Sequence, residues 1–381
     1  MGLRKIAVMI GPGPGWNSGV LRGIAHYAVA HGPWEFNVEF PGLSILAVRQ
    51  WNVDGVIVPL RNEQHARVFR DRGVPTVNCS AALPNPGVPT VRPDDLEAGR
   101  LGARHLMERG LKHFGYCGFP EYDFSEMRRQ GFEEVIRGAG HEPSIYAVDP
   151  VVRAEWTWDV QENDIARWLK TLPLPVGILA SMDERAWHVA EACRRVGLRV
   201  PEDVAIVGVD NDELRCEFTN PPLSSVAIPT ERIGYEAAAL LDRLMDGGQP
   251  PATPVLIQPQ GVVVRRSTDM LAVDDDQVAR AFRFIRQHSG EPFAVRDILR
   301  EVGAERRDLD ARFRKALNRS LEEEILRSRL QQAERILSET DLELTQVARA
   351  SGFGTLARLR EALRRQTGLG PTEYRGKFRL R

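Results

Sequence analysis

The sequence predicts a parallel α/β region of about 270 residues followed by an all-helical domain. Three observations predict it. From residue 1 to about 265, short apolar runs alternate with amphipathic segments, the pattern of helices covering parallel sheets. Charge and texture then change near 268–276, where VVVRRSTDM (262–270) meets the acidic triplet Asp274, Asp275 and Asp276. Beyond that point β-branched runs cease and Arg, Leu and Ala dominate. At 381 residues the chain has room for two or three domains of roughly 150 residues each.

Strands are expected at residues 6–10, 35–40, 55–59, 76–78, 113–117, 176–180, 204–209 and 255–257. Apart from 35–40, the early ones are continuous apolar or β-branched runs bounded by Gly or Pro, which suits strands covered on both faces. Helices are expected at 20–30, 97–109, 126–137, 183–196 and 231–245. Asp183 and Thr230 stand where N-caps belong, and Gly197 where a helix ends. Four or five strands precede residues 111–114 and three or four follow. Two sheets with a cleft between them are at least as plausible as one open sheet.

The tail carries a weak repeat. Residues 293–304 then 305–317, and 344–354 then 355–368, each read as an apolar helix, a glycine turn (Gly303, Gly352) and an Arg-bearing helix. That is a helix-turn-helix layout, whose second helix enters a major groove. A helix at 321–338 joins the units.

Composition excludes several classes. A 43% hydrophobic, 27% charged chain can bury real cores and is not disordered. Cys79, Cys117, Cys193 and Cys216 form no CxxC pair, so neither a disulfide framework nor a cysteine zinc site is expected, and a reducing, cytoplasmic setting fits. No 18-residue apolar run suggests a membrane span. The Gly-Pro-Gly-Pro-Gly run at 11–15 lacks the Gly-Lys-Ser/Thr of a phosphate loop, and Trp16 stands at the third glycine position of G-x-G-x-x-G. No cofactor is expected. Nor is a metal or an enzyme activity, since no G-x-S-x-G, H-E-x-x-H or Cys/His arrangement occurs.

Charge supplies the functional clue. Residues 277–381 hold 23 Lys+Arg against 15 Asp+Glu, a net of +8, while the first 276 carry a net of −9. A basic terminal domain points to double-stranded DNA. In the first unit Leu309 and Phe313, spaced i, i+4, pack inward and leave Arg306, Arg307, Asp310 and Arg314 to reach out. In the second, Leu359 and Leu363 turn inward and Thr355, Arg358, Arg360 and Arg364 outward. The planar guanidinium fork bonds two acceptors of a guanine edge or a phosphate.

Residues 324–353 with GLGPTEYR (368–375) resemble the AraC-type double helix-turn-helix signature over about 100 residues. Gly370 replaces the usual serine before Pro371. The first 265 residues resemble the effector domain of LacI/GalR-type repressors, itself similar to periplasmic sugar-binding proteins. The matching pieces are VDGVIV (53–58), RPDDLEAGRLGARHL (92–106), RRQGF (128–132), SMDERAW (181–187) and GLRVPEDVAIVGVDN (197–211). A LacI-like sensor joined to an AraC-type reader resembles the xylose-operon type of transcriptional activator. DNDEL (210–214), LSSVA (223–227) and RRSTD (265–269) carry that resemblance.

The resemblance implies a two-lobed sensor over 1–270, with lobes of about 1–112 plus 231–250 and 113–230 plus 251–268, and a reader over 274–381. It implies a monosaccharide effector, D-xylose or a similar pentose, in the interlobe cleft, and a homodimer on DNA that can contact RNA polymerase. A sugar needs charged or amide groups for its hydroxyls and an aromatic face for its C–H surface, on loops after the strand ends. Trp16, Asn17, Asp95, Arg128, Asp183 and Asp210 fill those positions. Arg128 holds the place of the family's effector-binding arginine in R-x-x-G-F. Two rivals stand beside this: a DNA-binding regulator whose front domain only dimerises, and a sugar-modifying enzyme.

Overall fold

The computed structural model describes residues 3–11, 13, 15–38, 52–71, 73–146, 157–273, 275–317 and 319–378. Residues 39–40 of an expected strand, Pro12 and Pro14 of the Gly-Pro run and Asp274 of the acidic triplet lie outside them.

The first sheet has the order β2-β1-β3-β4, from β1 (Arg4–Val8), β2 (Trp34–Val38), β3 (Gly55–Val58) and β4 (Thr76–Asn78), all parallel. A bridge from Asn78 to Thr90 continues it to β5 (Val91–Pro93), which pairs in parallel with β11 (Val255–Ile257). Helix α1 (Trp16–His31) and the later α8 (Thr230–Met245) pack together on one face, and α2 (Glu63–Arg70) contributes Ala66 and Phe69 to the other.

The second sheet is β12-β10-β9-β8-β6-β7, built from β6 (His113–Cys117), β7 (Ser144–Ile145), β8 (Val176–Ala180), β9 (Val204–Asp210), β10 (Ser224–Ala227) and β12 (Val262–Val263). Only β12 runs antiparallel. Helices α3 (Asp95–Met107) and α4 (Asp123–Gly138) pack as a pair on one face, and α5 (Trp158–Leu169) with α6 (Asp183–Arg195) on the other. The short α7 (Glu213–Phe218) follows β9.

Two lobe assignments change. Helix α3 precedes residue 112 yet packs against α4, β8 and β9 of the second sheet, because Gly102 admits the Leu179 side chain. Residues 255–257, assigned to the second lobe, lie beside β5 of the first. The expected N-caps also shift by one. Met182 and Pro229 hold those positions without a side-chain cap bond, and Asp183 is the first residue of its helix, its carboxylate turned elsewhere. Gly197 does end α6, with φ 74°. Strand β10 was missed because its buried serines break the apolar pattern.

The helical C-terminal domain, expected to be the reader, begins at α9 (Asp276–Gln287), capped by Asp275. Its first unit is α10 (Val295–Val302), a left-handed Gly303 and α11 (Arg306–Leu317). Helix α12 (Leu321–Glu339) opens with a Ser320–Glu323 capping box and leads to α13 (Leu344–Ala350), α14 (Leu356–Thr367) and α15 (Pro371–Phe378). Leu309 and Phe313 are fully buried in one small core, Leu359 and Leu363 in another, and α12 contributes to both. Among the described residues no helix is long and apolar enough to cross a membrane, and no His/Cys/Asp/Glu group could hold a metal.

Candidate functional site

Two glycines decide where the site's charges meet. A Cβ at Gly99 of α3 would lie 2.0 Å from the Arg128 carbonyl, and one at Gly131 of α4 would lie 2.0 Å from the Leu96 carbonyl. The helices therefore cross backbone to backbone, which sets the first turn of α3 against the middle of α4. Asp95 and Arg128 face each other across that crossing.

Arg128, 4% exposed, donates from Nε to Asp95 Oδ1 at 2.9 Å, from Nη1 to the Ser181 carbonyl at 2.5 Å and from Nη2 to Asp210 Oδ1 at 3.2 Å. Its guanidinium carbon lies 5.1 Å from the Phe124 ring centre, within cation–π range. Arg92 of β5 brings a second guanidinium, bonded to Asp95 at 3.2 Å and to Asp123 at 2.7 Å. Asp183 accepts from the Asp212 amide at 2.7 Å and from Ser225 Oγ at 2.5 Å. The buried hydroxyl that hid β10 from the sequence pattern thus orients a carboxylate of the site.

Backbone strain collects at the same place. Asp210 has φ 109° and Asn211 φ 54°, in the left-handed region that L-residues seldom occupy. Gly208 leaves room for Asp183, since a Cβ there would sit 2.1 Å from Oδ1. Burial pushes Asp183 up to about 7, and the neighbouring Asp210 charge adds to it. Burial also lifts Asp210, to about 6 despite Arg128, and raises Asp95 against the pull of Arg128 and Arg92. Burial lowers Arg128 itself, but Asp210 and Asp95 outweigh it and its pKa is raised. The cluster is a buried set in which burial lifts all three carboxyls and Arg128 offsets part of that lift at Asp95 and Asp210.

The structure brings Asp95, Arg128, Asp183 and Asp210 together. Trp16 and Asn17 open α1 on the facing lobe, just after Gly15, which the Asp212 carboxylate abuts. Trp16 is partly buried against the first core, and the Asn17 amide donates to the Gly11 carbonyl. Arg92, Asp123, Phe124 and Ser181 were not singled out from the sequence. Arg92 stands in the 92–106 motif, and its signal was an arginine at a strand end beside two aspartates.

The lobes are closed on this cluster. The Asp123 and Phe124 amides of α4 donate to the Ala82 and Ala81 carbonyls of the first lobe at 3.1 and 2.8 Å. A cavity of about 510 Å³ lies elsewhere, while one of about 720 Å³ reaches the edge of the cluster at Asp210 and Asp212; neither is lined by Arg128 or Asp95.

On the reader, Arg306, Arg307, Arg314, Thr355, Arg358, Arg360 and Arg364 are exposed on α11 and at or along α14. Some have local work. Arg306 pairs with Glu322, and Thr355 Oγ1 caps α14. Asp310 accepts the Leu321 amide at 3.0 Å and pairs with Arg314 at 3.2 Å, which commits its carboxylate inside the protein.

A periplasmic-binding-protein-like domain model matches residues 103–268, and a helix-turn-helix domain model matches 298–377. The chain is 28% identical over 380 residues to the xylose operon regulatory protein of Escherichia coli, covering 97% of this chain and 96% of that one. The same protein of Haemophilus influenzae matches at 28%, over 97% and 98%. The solved structure of a xylose-binding transcription activator, xylR, matches over all of both chains with a TM-score of 0.63 and 26% identity. The chain is a transcription regulator that joins a periplasmic-binding-protein-like domain to a helix-turn-helix domain. The regulator therefore has the α/β-then-helical architecture that its sequence predicted, with the reader at the C-terminal end.

Proposed function

We propose that this regulator is an activator of pentose utilisation genes and that D-xylose is its effector, held between the lobes by Asp95, Arg128, Asp183 and Asp210. The observation that carries the proposal is the Arg128 network: a buried guanidinium fork between two carboxylates, on a cleft whose two sides close over it. Carboxylates and a guanidinium present acceptors and donors to adjacent hydroxyls, and a ligand lacking a hydroxyl leaves one of them unpaired. Entry parts the lobes, breaking the Asp123–Ala82, Phe124–Ala81 and Arg92–Asp123 contacts. The sugar then replaces part of what opening lost. Trp16 supplies an apolar ring from the first lobe. A homodimer sets two readers on paired half-sites, with RNA polymerase as the downstream partner.

A sugar shifts DNA affinity only through unequal affinity for the two states. The test is calorimetric titration of D-xylose and other pentoses into the full chain, with anisotropy on a duplex that the chain selects from a random pool. Xylose is expected to bind and to change duplex affinity by about tenfold, roughly 1.4 kcal/mol of coupling. Sugar binding with unchanged DNA affinity refutes the switch, and no pentose binding refutes the sensor.

The exposed arginines of α11 and α14 are proposed to grip the duplex. Arg307→Ala and Arg358→Ala are each expected to reduce the slope of log affinity against log salt by about 1, as loss of one phosphate contact does. Unaltered slopes for both would move the DNA interface to another face.

A further inference from the structure

We infer that α3 is the strut by which the effector site moves the reader, with Glu108 and Arg109 just past its C-terminal end as the coupling residues. This rests on the proposed function above. Helix α3 has 13 residues and is about 20 Å long. Asp95, at its first turn, holds Arg128 and Arg92. Packing against α4, β8 and β9 makes it part of the second lobe. Its other end touches the reader directly.

There the Glu108 carboxylate pairs with Arg327 of α12 at 2.6 Å, and the Glu108 carbonyl accepts from Arg319 at 3.1 Å. Arg109 is fully buried. Its Nε donates to the Thr268 carbonyl at 3.0 Å, its own carbonyl accepts from the Ala272 amide at 2.8 Å, and its guanidinium carbon lies 5.8 Å from the Phe282 ring centre on α9. One helix end thus holds the connecting segment, α9 and α12 at once. A displacement of Asp95 relative to the first lobe therefore carries the reader with it.

The seam is also the place where the molecule can yield. Arg109, Arg286, Arg319 and Arg327 gather there around Glu108 and Glu324. Arg109 Nη1, Arg327 Nη2 and Glu324 Oε1 have no hydrogen-bond partner among the described residues. Burial drives Arg109 well below the usual arginine range, and Arg286 and Arg327 push it further. A buried polar network left partly unsatisfied loses much of what its ion pairs gain, so this seam is held less firmly than a fully paired one. A cavity of about 720 Å³ lies where Arg22 of α1 on the first lobe, Glu108 and Asp210 of the second, and Gln331 and Arg335 of α12 face one another. The reader accordingly has space to swing past the first lobe while it rides on the second.

The test compares full-length wild type with Glu108→Arg, Arg327→Glu, the double reversal, and Arg109→Met. D-xylose affinity is read by calorimetry, duplex affinity by anisotropy with and without saturating xylose, and folding by circular dichroism. Each single reversal and Arg109→Met is expected to keep sugar affinity within about threefold and to drop the sugar-induced change in duplex affinity from about tenfold to near one. The double reversal is expected to restore most of it, because the pair is tested as a cycle. Wild-type coupling in all the single variants overturns the strut, and lost coupling that the double reversal leaves unrestored overturns the pair as its carrier. If a reversal unfolds, Glu108→Gln is read by the same criteria. A wild type in which xylose leaves duplex affinity untouched would instead overturn the proposed function, a separate result.

Discussion

Arg128→Ala is expected to lower sugar affinity by on the order of a hundredfold or more and to destabilise the sensor by roughly 3–5 kcal/mol. Both effects have one origin. Asp95 and Asp210 are held in a buried site by the Arg128 fork, and of these two carboxylates Arg92 pairs with Asp95. Truncation leaves Asp210 with no counter-charge from α4 and strips the Ser181 carbonyl of its donor. Asp210 then either ionises at high cost or takes up a proton, because the Arg128 charge that holds its raised pKa down is gone. Protonation softens the stability loss but not the expected binding loss, because the donors proposed for the sugar oxygens are gone. Arg128→Lys is expected to fall between, since one ammonium cannot serve three acceptors spread around a planar fork. Calorimetric titration with D-xylose and thermal denaturation measure the two effects. Wild-type sugar affinity in Arg128→Ala removes Arg128 from the site and leaves it a structural ion pair.

The fold was legible because its elements are local. Runs such as 176–180 and 204–209 are apolar throughout and emerge as central strands buried on both faces. The small cores of the reader were legible for the same reason, since i, i+4 spacing places Leu309 with Phe313 and Leu359 with Leu363. Elements defined by partners far along the chain were not. Strand β10 carries serines because one of them serves Asp183, and β5 is three residues long and exists through β11, more than 160 positions away. The grouping of Asp95, Arg128, Asp183 and Asp210 followed from strand ends and a family motif. The part played by Arg92, Asp123 and Ser181 depends on how two lobes meet, and no local pattern encodes that.

Gly131→Ala tests the packing that makes this grouping possible. Helix propensity alone favours Ala over Gly in a helix by about 1 kcal/mol, so a helix free of neighbours would gain. In α4 the added Cβ would stand 2.0 Å from the Leu96 carbonyl and 3.2 Å from the Arg100 amide, both backbone atoms of α3. Neither can rotate away, so the helices must separate, and overpacking against rigid atoms costs about 1–3 kcal/mol or more. The clash therefore exceeds the propensity gain, and the melting temperature of the sensor is expected to fall by several degrees, at about 2–4 °C per kcal/mol. Separation also draws Arg128 away from Asp95, and a weaker sugar complex is expected with it. Gly138→Ala, at the end of the same helix with nothing within 4 Å of its Cβ, supplies the contrast and is expected to be neutral or mildly stabilising. Equal melting temperatures for the two variants would show that α3 and α4 have slack at their crossing, and the Arg128–Asp95 geometry would then need a different cause.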